Sequence, residues 1–146
     1  MLRQGLLAAL AVAVVALPVA AQAQDEPQTD GQTGAQTEAA ELYDRHCAVC
    51  HGADAQGGGP LAPALILQPP DLTRLSERNG GVFPVIRVVM RIDGRDPLVA
   101  HGSPMPVYGG FFEGDGQASI KAETGQPIVA AEQVVALTDY LRELQR

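Results

Sequence analysis

The chain has no tryptophan, and three phenylalanines and three tyrosines make only 4% of its 146 residues aromatic. A domain so poor in large rings has little with which to build a thick core, because aromatic side chains carry the largest apolar areas. Cysteine is scarcer still. Cys47 and Cys50 are the whole supply, which argues against a disulfide-stapled scaffold. Ten basic residues stand against seventeen acidic ones, a formal charge of −7. Such a balance argues against nucleic acid and anionic membrane surfaces, both of which select basic patches. Paired carboxylates, a Ser-His-Asp order, a phosphate-cradling loop and a flavin fingerprint are all missing, so no catalytic side chains are visible. Internal repeats are missing too.

What is present centres on Cys47-Ala48-Val49-Cys50-His51, followed by Gly52. Cys-x-x-Cys-His is the attachment signature of a c-type haem, and here it uses both cysteines. Two thiols three positions apart on one helical turn can each bond one vinyl group of the same porphyrin. The histidine that follows is then held under the iron as its proximal ligand. One motif implies one covalent haem c. Two other readings of the pair exist, a thioredoxin-like dithiol and half of a zinc site. The dithiol expects a preceding strand, whereas the residues before Cys47 read as helix. The zinc site needs two further clustered ligands, and only His46 and His101 remain.

Residues 1–23 have the order of a secretory signal peptide: Arg3 as a basic start, an apolar run from Leu6 to Val19, and Ala21-Gln22-Ala23 as a small-x-small cleavage site. The alternative is a retained anchor, but a spanning helix needs about 20 apolar residues, and this run is shorter and contains Pro18. Export to the periplasm is expected. Loss of Arg3 would leave the mature chain one unit more negative than −7. Complementary charge speeds encounter, so redox-partner proteins with a basic docking face are the expected partners, with membrane contact only through such a partner. A second reading of the charge is simple solubility.

Residues 24–36 are polar and without large apolar side chains, and read as a flexible leader. Residues 37–146 form one small domain of about 110 residues. A first helix is expected from Thr37, as N-cap, to Cys47, with Ala39, Leu42, Tyr43 and His46 on one face. The glycines and prolines between Gly52 and Pro70 exclude regular structure there. Asp71-Leu72-Thr73 opens a short helix to Glu77, closed by Asn79-Gly80-Gly81. Phe83–Ile92 reads as helix by the spacing of Val85, Val88, Val89 and Ile92, with a strand possible from its β-branched content. Phe111–Gln126 is expected as a glycine-bearing loop, with room for a short hairpin around 118–124. The last helix is expected from Ala130 to Leu144, burying Val134, Leu137, Leu141 and Leu144. A bound haem would add apolar volume to this thin core, so the haem-free chain should fold poorly.

The sixth ligand to the iron is open between candidates. Met105 lies in a loop between Pro104 and Pro106, which fix its backbone. Met90 sits in an apolar helical stripe, where methionine fills core. His101 would give a bis-histidine haem, and an open iron is the third option. His46 reads as a surface residue of the first helix.

In this order the features resemble class I c-type cytochromes, the bacterial monohaem kind, over most of the mature domain. The resemblance rests on Cys47–Gly52 at the end of an N-terminal helix, Pro63-Ala64-Leu65, Met105-Pro106, and Tyr140-Leu141 in the last helix. It implies an all-α cytochrome c fold of four to five helices with long loops wrapped around the haem. It also implies a carbonyl of Pro63 accepting from the His51 imidazole, Met105 as distal ligand, and the last helix crossing the first near Tyr43 and Ala39. The function expected is a soluble periplasmic electron carrier, not an enzyme, that takes no small-molecule substrate. The alternatives are a subunit docked in a larger respiratory complex and a gas-binding haem sensor.

Overall fold

The computed structural model describes residues 30–96, 105–112, 114 and 116–146. The expected signal peptide, residues 24–29 of the leader and His101 lie outside the described residues.

Helix α1 (Asp30–His46) begins before Thr37. No proline lies between Pro27 and His46 to stop it, and the Gln36 side chain donates to the Glu143 carboxylate at 3.1 Å, tying this turn to the last helix. Ala39 and Tyr43, four residues apart, are buried on one face. That face meets α5 (Glu132–Glu143), which buries Val134, Val135, Leu137, Thr138 and Leu141. The Tyr43 and Tyr140 rings meet at 5.4 Å across this crossing. Thr138 is wholly buried, and its hydroxyl is satisfied by the Val134 carbonyl at 2.7 Å.

Between these helices the chain forms a short helix α2 (Ala48–His51), a 3-10 turn over Ala62–Ala64, a second over Leu72–Arg74, and α3 (Leu75–Arg78). Asp71 caps the second turn, accepting from the Thr73 amide at 2.9 Å. Helix α4 (Val85–Asp93) buries Val85, Val88, Val89 and Ile92, so the helical period decides against a strand. Gly94 ends it in a left-handed conformation, φ 89°, with its amide on the Met90 carbonyl.

Strands β1 (Gln117–Lys121) and β2 (Pro127–Ala131) form an antiparallel hairpin with Ser119 opposite Val129. Ile120 and Ala130 point into the core. The pairing takes Ala130 and Ala131 into β2, so α5 starts at Glu132. Among the described residues the architecture is mostly helical, five α-helices with one small sheet, compatible with the expected all-α fold apart from the hairpin. The core lies where α1, α4, α5 and the hairpin meet, with Phe83 and Phe112 added from the loops. No described helix is long and apolar enough to cross a membrane.

Candidate haem site

The attachment motif occupies one helical turn at the break between α1 and α2. The Cys47 amide closes α1 on the Tyr43 carbonyl at 2.8 Å; Cys50 and His51 then donate to the Cys47 carbonyl at 3.1 and 2.9 Å. Both thiols are half-buried and free. A helix this short leaves its last carbonyls without partners of its own, and the glycine loop that follows supplies them. Gly57 donates to His51 at 2.7 Å, Gly59 to Cys50 at 3.1 Å and Leu61 to Val49 at 2.9 Å. The approach needs glycine: a Cβ on Gly59 would lie 2.5 Å from the Val49 oxygen and 2.6 Å from that of Ala48. The Gly-rich stretch is therefore a backbone cradle for the attachment turn rather than slack. Tyr43 adds a further tie, donating its hydroxyl to the Gly52 carbonyl at 2.8 Å.

His51 is buried. Its Nδ1 lies 3.4 Å from the carbonyl oxygen of Pro70, whereas the expected acceptor was the carbonyl of Pro63. The reason is the course of the loop. Pro63 is exposed in the turn Ala62–Ala64, held by the Gln68 side chain on the Ala62 and Leu65 carbonyls. The Leu72 amide then donates to Ala55 at 2.7 Å, folding Pro69-Pro70 back over the loop that follows His51. The Pro70 carbonyl is thereby brought against the His51 imidazole. With the Nδ1 proton on a carbonyl, Nε2 keeps a lone pair for iron. Burial pulls the His51 pKa below its ordinary value against the opposing pull of the Pro70 carbonyl, which favours the neutral ring a metal needs.

Burial first, and then the neighbouring Cys50, push the Cys47 thiol up to about 11. A dithiol exchange centre needs a lowered thiol pKa, so the thioredoxin-like reading has no support in this site. Among the described residues no three of His, Cys, Asp and Glu gather where they could hold a metal ion. Two free thiols on one turn beside a buried imidazole fit a covalently attached haem.

The segment 105–112 is brought to the same place. Met105 is half-buried and packs against the core. Three residues on, the Tyr108 amide donates to the Ile92 carbonyl at the end of α4, 2.7 Å, and its hydroxyl to the His46 carbonyl at the end of α1, 2.8 Å. The His46 ring is not a free surface group. It stands edge-on to Tyr108, Phe111 and Phe112, with centroids 5.6, 5.3 and 5.7 Å away. Sequence reasoning missed this aromatic group. The available signal was that three of the six aromatic residues fall within positions 108–112.

A protein-family model described as cytochrome c matches residues 36–145. No curated protein and no solved structure matches the chain.

Proposed function

This chain belongs to the cytochrome c family, a haem-based electron-transfer family, and from that premise we propose a soluble periplasmic carrier with one covalent haem c ligated by His51 and Met105. The observation that carries the reading is the attachment turn, where Cys47, Cys50 and a buried His51 share one helical turn and Pro70 holds Nδ1. The haem supplies a one-electron change between Fe(II) and Fe(III); thioether with imidazole ligation raises its potential.

The chain's own residues do the rest. Cys47 and Cys50 anchor the porphyrin, and the Gly57–Leu61 backbone keeps their turn rigid, which limits reorganisation during transfer. Pro70 orients His51. Met105, approaching from the segment that Tyr108 ties to α1, would close the remaining coordination position and leave no site for substrate. The signal-like start supports export, and the acidic excess supports a partner with a basic docking face.

Carbon monoxide added to the ferrous holoprotein at neutral pH tests the carrier reading. A six-coordinate carrier shows no rapid spectral change. A rapid change would place gas binding ahead of electron transfer.

A further inference from the structure

We propose that Tyr108 is the positioning residue for Met105, its hydroxyl bond to the His46 carbonyl holding the methionine segment on the attachment turn. The inference rests on the reading of Met105 as distal ligand and adds the residue that fixes it.

The helix break at Cys47 makes this bond available. The Cys50 amide pairs with the Cys47 carbonyl, one residue nearer than in a regular α-helix, and the His46 carbonyl accepts the Tyr108 hydroxyl. That carbonyl belongs to the peptide unit whose N–H, on Cys47, donates to Tyr43. The unit carrying the first attachment cysteine is therefore gripped from both sides, by α1 and by the Met105 segment.

Tyr108 is itself pinned. Its amide is on Ile92, its ring stacks on Phe112 at 5.9 Å, and the neighbouring Gly109 sits so close to Asp93 that a Cβ would collide with the Asp93 carbonyl. The Tyr108 hydroxyl, on the His46 carbonyl, lies one peptide unit from Cys47. Losing the hydroxyl would leave the ring in place and release one tie between the Met105 segment and the attachment turn.

The test is Tyr108→Phe in the haem-loaded protein, with cyanide as the probe that competes with the thioether for ferric iron. The variant should keep the thioether-to-iron absorption band yet bind cyanide about fivefold more tightly than wild type, the effect of one net hydrogen bond. Cyanide affinity equal to wild type, with or without a lowered melting temperature, would overturn the proposal. The wild type gives a second reading that needs no variant. Cyanide should speed hydrogen exchange at the Tyr108 amide as its segment is released, and unchanged protection would overturn the proposal as well. Failure of the Met105 reading has a different signature: the wild type would lack the thioether band, and Met105→Ala would bind cyanide as wild type does.

Discussion

Tyr43 joins two structural roles in one side chain: its ring fills the crossing of α1 with α5, and its hydroxyl holds the Gly52 carbonyl just past His51. Burial, with smaller contributions from Cys47, Tyr140 and Asp54, pushes its pKa well above the ordinary phenol range. The proposed haem attachment would convert Cys47 to a thioether and remove that contribution, but burial, the largest cause, stays. Tyr43→Phe should therefore cost about 1 kcal/mol at neutral pH through the lost hydrogen bond. The sign of the pH dependence follows from linkage. The folded state holds the Tyr43 proton more tightly than the unfolded state, so its contribution is complete below about pH 10 and declines as pH rises further. Phenylalanine has no proton to lose, so the gap between wild type and variant should narrow above pH 10. Denaturant titrations at neutral and alkaline pH measure it, and a gap that stays constant would contradict the account. At this scale Cys47, Cys50, His51 and Tyr43 were legible because their chemistry is local in sequence. The approach of the Pro70 carbonyl to His51 was not, because it depends on the fold-back through Leu72 and Ala55.

The hairpin shows what elements contribute beyond their own residues. Glu123, from the turn between β1 and β2, accepts from the Ile86 amide at 3.2 Å in the first turn of α4, where Pro84 offers no side-chain cap. At the other end of α4, Arg95 donates to the Val129 carbonyl of β2 at 3.1 Å. The hairpin thus braces α4 at both ends, and α4 supplies the Ile92 carbonyl that holds Tyr108. Glu123→Ala should destabilise the protein by about 1 kcal/mol, the usual cost of a lost N-terminal cap. Glu123→Gln keeps an acceptor but loses the charge that favours the helix dipole, so its loss should be smaller. Equilibrium denaturation of both variants checks the order, and no loss with alanine would contradict it. The apolar spacing of α4 and the Asp71 cap were readable from local pattern. The hairpin was readable only as a possibility, because glycines surround it and its pairing depends on α4 and α5. The early start of α1 was hidden in a polar stretch whose composition alone suggests a leader.

Across the whole molecule, contacts distant in sequence converge on one turn of six residues. The C-terminus takes part. Gln145 donates to the Leu72 carbonyl at 2.8 Å and accepts from the Ser76 amide at 2.9 Å, while the Arg146 amide and side chain hold Thr73 at 3.1 and 2.8 Å. The end of α5 is thereby fastened to the segment that presents Pro70 to His51. The hairpin and α4 hold Tyr108, and Tyr108 holds the end of α1. So arranged, the scaffold would offer a haem iron the His51 imidazole, with Met105 as the proposed second ligand. The optical spectrum of the ferric holoprotein, wild type beside Met105→Ala, tests that arrangement most directly. The account predicts the weak long-wavelength band of thioether-to-ferric-iron coordination in the wild type and its loss in the variant. Absence of the band from the wild type, or its survival in the variant, would contradict His51 with Met105 as the ligand pair.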